Sequence, residues 1–185
     1  VQWALLGLIG VAAAFDLLES LSPPADGDSL AYHFQLAKRF LAAGRLEFVP
    51  RALDGAVPLL VQMTYVPALG LGGEGALTLW TFVSGWGLAA LFYTVCRHHL
   101  DITWSLAATL VLVTTPAMVF GAGSGQVEAR LAMFAAVAAV AAASALGTGS
   151  LRYAALAGLA AGFFMGGKYA GLFFVAATGV VVLAG

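Results

Sequence analysis

Four stretches of this chain, residues 1–18, 74–95, 103–120 and 129–146, are each 18 residues or longer and almost wholly apolar. At 1.5 Å per residue, each matches a bilayer core of about 30 Å. That constrains the fold more than any motif, because backbone in lipid must satisfy its own hydrogen bonds, which a helix does. Only 9% of the 185 residues are charged, against about 25% in an ordinary soluble domain. The polar surface is too small to cover a water-soluble globule. The pattern predicts an all-α, polytopic transmembrane helical bundle. A net charge of −1 offers no footprint for nucleic acid. The lone Cys96 cannot form an internal disulfide and reads as a small apolar helix residue.

The remaining segments read in order. Asp16 and Glu19 mark the exit of the first span, and Pro23 and Pro24 stop its helix. Asp28 or Ser29 then caps a helix ending at Gly44. Leu30, Phe34, Ala37 and Leu41 fall on one face, with Tyr32, Gln35, Lys38 and Arg39 on another, as suits an amphipathic helix in the headgroup plane. Residues 57–71 are apolar, short and interrupted by Pro58 and Pro67. Residues 153–166 and 169–183 add two further crossings, giving about six spans. Frequent glycine and alanine favour close helix packing in lipid. The chain begins at Val1 inside an apolar run and stops just after VVVLAG, so we expect part of a longer chain.

Sidedness follows by parity. If residues 57–71 do not cross, the loop over 22–56, the loop around Gln126 and Glu128, and Lys168 share one side. Arg97, His98, His99 and Arg152 share the other, which the positive-inside rule makes cytoplasmic. If residues 57–71 do cross, Asp28 and Glu128 fall on opposite faces.

Ten charged side chains lie between Asp16 and Asp54. Ionisable groups beside hydrocarbon are costly unless used or paired. Asp26 and Asp28 serve either as general base or cation ligands, or as a solvated acid and a helix cap. Glu128 is either a site acid or a helix-start acid paired with Arg130. Lys168, after Met165-Gly-Gly, either snorkels to the interface or binds a phosphate, with the glycines allowing a ligand's close approach. His33, beside Tyr32, reads as an interfacial polar residue. Ser124 lacks a histidine and acid at hydrolase spacing. Metal-protease, C-x-x-C and Walker patterns are absent from the sequence.

SPPADGDSLAYHFQLAKRFLAAGRL, with Asp28, Leu30, Tyr32, His33, Lys38 and Gly44, resembles the first extracytoplasmic loop of bacterial GT-C membrane glycosyltransferases. That group includes the protein O-mannosyltransferases and aminoarabinose transferases. VPLLVQMTYVPALGLGGEGA, Arg97, GQVEARLAMFAAVA and GLAAGFFMGGKYAGL resemble later parts of the same transmembrane domain, so the likeness covers nearly all of 1–185. Glu128 stands where the family often has aspartate. The resemblance implies transfer of a sugar from a polyprenyl-phosphate carrier at the outer face of the bacterial cytoplasmic membrane. Asp28 would be the catalytic base and Glu128 a second acid, the two able to share a divalent ion. Lys168, with His33 or Lys38, would bind the lipid phosphate, and Asp26 and Tyr32 would also bind substrate. The partners implied are a lipid-linked sugar donor and membrane lipids. Two other classes fit the composition: a transporter fragment, which expects ionisable groups or broken helices at mid-membrane, and a non-catalytic membrane subunit docking a partner through its polar loop.

Overall fold

The computed structural model describes residues 1–49 and 59–184, and every regular element among them is helical. In order these are α1 (Gln2–Ser20), a π-helical turn (Ser29–His33) running into α2 (Phe34–Ala43), α3 (Leu60–Met63), α4 (Tyr65–Gly72), α5 (Gly75–Arg97), α6 (Ile102–Val113), α7 (Pro116–Gly123), α8 (Glu128–Thr148), α9 (Leu151–Gly167) and α10 (Ala170–Ala184). Large apolar side chains such as Trp3, Leu71, Val111, Phe173 and Leu183 face outward, while Ser20, Thr81, Ser84, Ser105 and Thr109 are buried. That inverted distribution suits a surface bathed in lipid.

Among the described residues, α1, α5 and α8 are long and apolar enough to cross a membrane, and a fourth crossing arises if α6 and α7 form one broken span. The anticipated continuous helix over 103–120 is absent. α6 ends at Val113 and α7 restarts at Pro116, bent by 71°. Proline has no N–H to donate, so it is tolerated at the first position of a new helix and not inside a continuing one. α3 and α4 hold four and eight residues, too few to cross together. Pro58, expected to interrupt the apolar run over 57–71, lies outside the described residues.

Small residues close the bundle. α8 and α9 form a hairpin through Gly149, at φ 65°. Ala138 meets Ala160 and Ala161, and Ala141 and Ala142 meet Ala157. Without large side chains between them, the two backbones gain dispersion contact that lipid cannot supply.

Two poles result. At one, the Gln2 amide donates to the Thr103 hydroxyl at 3.1 Å, fixing the start of α1 beside that of α6. At the other, the Gln126 amide donates to Asp26 at 2.9 Å and the Lys168 ammonium pairs with Glu128. The end of α1, the π-turn, the start of α8 and the end of α9 therefore share one pole, the grouping expected if residues 57–71 do not cross.

The surface helix departs from expectation in register. Asp26, not Asp28, caps it: its carboxylate accepts from the Ser29 N–H at 2.9 Å, whereas the Asp28 side chain makes no capping bond. The Phe34 N–H donates to the Ser29 carbonyl, five residues back. This wider turn brings Ser29, His33 and Phe34 inward together, followed by Leu36, Ala37 and Phe40. Leu30 and Leu41, expected on the buried stripe, are exposed. Gly44 ends the helix with φ 63°, a left-handed conformation that costs glycine little.

Candidate functional site

The stretch from Gly121, at the end of α7, to Val127 is buried throughout, and its glycines decide what can reach it. A Cβ on Gly125 would collide with Ser29 and Phe34. One on Gly123 would lie 2.9 Å from the Asp16 carbonyl oxygen. The absence of side chains there lets α1 and the π-turn dock directly on the loop. Tyr65 closes the third side, its hydroxyl donating to the Gly125 carbonyl at 2.8 Å. The Ser124 hydroxyl is spent on the Phe120 carbonyl at 2.7 Å.

On this platform the expected site residues separate into distinct states. Asp26 is partly buried. Burial opposes its ionisation, but hydrogen bonds from Ser29, Gly125 and Gln126 outweigh that and hold its carboxyl below the ordinary value. Asp28 is exposed and makes no hydrogen bond or ion pair among the described residues. Glu128 receives the Lys168 ammonium on one oxygen and the Val127 N–H, at 3.0 Å, on the other. Its expected partner Arg130 points elsewhere. Lys38 is not part of the cluster: it pairs with Glu74, at the start of α5, at 2.6 Å. Tyr32 stacks obliquely on His33, with ring centroids 4.1 Å apart.

His33 is the largest correction, for it is core rather than interfacial, 1% exposed. Its Nδ1 lies 3.2 Å from the Gln62 amide nitrogen. Burial pushes its pKa down to about 4, against the pull of Glu128, Asp28 and Asp26. Those acids and Lys168 all bear electrostatically on this one ring. The glycines before Lys168 also serve differently than expected. A Cβ on Gly166 would meet Leu60 at 2.7 Å, and one on Gly167 would meet Val61 at 2.7 Å. They admit α3, not a ligand, and so bring Gln62 toward the pole.

The sequence offers Arg130 only as a partner for Glu128 and does not single out Gln62. Arg130 is 2% exposed. Its guanidinium donates to Ser84 at 3.0 Å, Thr64 at 2.9 Å, Tyr65 at 3.1 Å, Thr81 at 3.3 Å and the Val61 carbonyl at 3.4 Å. It also lies 4.6 Å from the Tyr65 ring centroid. The cation thus pins α3, α4 and α5 to α8 using neutral acceptors only. A signal was present in each case: residues two apart on a helix do not face each other, so Glu128 could not serve Arg130 directly, and a glutamine inside VPLLVQMTY needs a partner.

Beside Asp26 lies a cavity of about 390 Å³ whose lining includes Glu19, Pro23, Asp26, Thr78, Phe120 and Ser124. Four buried polar atoms at this pole lack a hydrogen-bond partner among the described residues: Asp26 Oδ2, Ser29 Oγ, His33 Nε2 and Gln62 Oε1. Among the described residues, no group of three or more His, Cys, Asp or Glu side chains is gathered to hold a metal ion. Comparison with protein-family models, curated proteins and solved structures finds no match to this chain.

Proposed function

We propose that the chain carries the transmembrane site of a GT-C-type glycosyltransferase, moving a sugar from a polyprenyl-phosphate carrier to an acceptor at the outer face of a bacterial cytoplasmic membrane. One observation carries the reading. Asp26, Asp28, His33, Glu128 and Lys168, spread over some 140 positions of an otherwise apolar chain, converge on one pole. In this reading α9 and α10 also cross, giving about six spans with α1, α5, the α6–α7 pair and α8.

The roles follow from how each group is engaged. Asp28 is the carboxylate free to act as base. It takes the proton of the acceptor hydroxyl as that oxygen bonds to the anomeric carbon. The bond from that carbon to the phosphate oxygen breaks, and the phosphate leaves with the electron pair. Lys168 meets the developing charge. Glu128 holds the ammonium in position beforehand. A single base opposite the leaving group fits an inverting displacement. Among the described residues no group of three or more His, Cys, Asp or Glu side chains is gathered to hold a divalent ion, and no step here passes through one.

The test is transfer of radiolabelled hexose from a short-chain polyprenyl-phosphate donor by the intact protein in proteoliposomes. Asp28→Asn should lower the rate by about 10²–10⁴-fold, with an unchanged melting temperature. An active Asp28→Asn variant, or a wild type inert toward every such donor, sinks the reading. A transporter reading draws on the 71° break between α6 and α7. It predicts solute uptake without sugar transfer in the same vesicles.

A further inference from the structure

Two of the unpartnered buried atoms belong to one hydrogen-bonded pair. His33 and Gln62 come from different segments, are 1% and 2% exposed, and are joined through His33 Nδ1 and the Gln62 amide. Their remaining polar atoms, His33 Nε2 and Gln62 Oε1, have no partner among the described residues. Asp26 and Ser29 belong to a single turn, where the Ser29 N–H already engages Asp26 Oδ1, whereas His33 and Gln62 join two separate elements. The pair also sits within the field of Glu128, Asp28 and Lys168.

The chemistry left over does not depend on how the pair is protonated. If the amide NH₂ donates to Nδ1, the ring proton is on Nε2, leaving one donor there and one acceptor on Gln62. If the amide is turned over, Nδ1–H donates to its oxygen. Nε2 then becomes the spare acceptor and the NH₂ the spare donor. Either way one donor atom and one acceptor atom are left with no partner, beside the second N–H of the amide. A hydroxyl is the neutral group that accepts once and donates once, and neighbouring hydroxyls on a sugar ring can divide the two tasks. An ammonium would leave the donor idle, and a phosphate the acceptor. Buried polar groups left idle are costly, so such a pair discriminates sharply for the group that completes it.

We propose that His33 and Gln62 form a hydroxyl-reading pair that selects the sugar of the donor. The proposal rests on the sugar-transfer reading and deepens it. Arg130 acts as a positioning residue for the pair, because it holds the Val61 carbonyl immediately before Gln62.

Binding tests it independently of turnover. The intact protein, in detergent, is titrated with short-chain prenyl-phosphate hexoses, their singly deoxygenated counterparts, and prenyl phosphate alone, read by calorimetry. Removal of one particular hydroxyl should weaken binding to wild type about 10–100-fold. In His33→Phe and Gln62→Met that same removal should change binding less than about twofold. Should either variant misfold, the isosteric Gln62→Glu replaces it and should shift which deoxygenated donor is penalised. Equal binding of all deoxygenated donors by wild type overturns the proposal, and is what a trapped water between the two groups predicts. A penalty that persists unchanged in both variants overturns it too. Selective binding without any transfer keeps the pair and removes the reaction. Failure of wild type to bind any prenyl-phosphate hexose removes both.

Discussion

Replacing Arg130 by lysine keeps the buried charge and removes the fork that carries it. The guanidinium has five acceptors, the hydroxyls of Ser84, Thr64, Tyr65 and Thr81 and the Val61 carbonyl. An ammonium has three donors, so at least two of these bonds are lost. Interhelical hydrogen bonds in membrane proteins average about 0.6 kcal/mol each. The flat contact on the Tyr65 ring, at 4.6 Å, contributes roughly 0.5–1 kcal/mol. Arg130→Lys should therefore destabilise the bundle by about 2 kcal/mol. Arg130→Met forfeits all five bonds and the ring contact, roughly 3.5–4 kcal/mol on the same scale. It also sheds a buried cation, whose desolvation in the protein interior costs several kcal/mol. The methionine variant should thus be no less stable than the lysine one. Reversible unfolding in mixed micelles, with both variants measured against wild type, reads these differences. A lysine variant within about 0.5 kcal/mol of wild type would refute the fork argument. A lysine variant clearly more stable than methionine would mean that the charge itself, not its hydrogen-bond geometry, holds α3, α4 and α5 to α8.

Four further outcomes are expected. His33 has an ordinary pKa of 6.5 and a folded value near 4, so its neutral form is favoured by folding. That stability is complete above pH 6.5 and is lost as the pH falls toward 4; His33→Phe should remove the corresponding slope from melting curves taken across this window. Gly125→Ala drives a Cβ into Ser29 and Phe34 and should cost about 1–3 kcal/mol. Gly158→Ala, with nothing within 4 Å, should be neutral or raise the melting point, since alanine favours a helix interior by roughly 1 kcal/mol. Asp26→Asn should flatten the stability loss that wild type shows below its ordinary value of 3.8, because the carboxyl is held low in the fold and its contribution disappears as it protonates.

What the sequence discloses here is mostly what hydropathy and parity disclose. The long apolar runs read directly as α1, α5 and α8, because length and composition set them without reference to neighbours. The shared pole of the first loop, Glu128 and Lys168 followed from treating residues 57–71 as non-crossing. The break at Pro116 was legible in principle, yet an apolar run conceals a bend. Pairings were harder. Glu128 finds Lys168 forty positions away, and no periodicity encodes that distance. The inward turn of His33 depends on a π-turn whose extra residue per turn shifts the helical register after Ser29. Lys38 shared a segment with the site acids but not their destination, because α2 carries it past the pole toward Glu74.

The account depends on residues 26–33, the start of α8 and Lys168 standing on one side of the membrane. Thiol labelling on intact cells measures this, in a Cys96→Ser background, with single cysteines at positions that are exposed. Leu30→Cys and Tyr169→Cys probe one pole, and His99→Cys and Leu151→Cys the other. A membrane-impermeant maleimide should label the first two from outside and the second two only after permeabilisation. If Leu30→Cys and Tyr169→Cys react from opposite sides, the acids and the lysine cannot form one site, and the glycosyltransferase assignment falls with it.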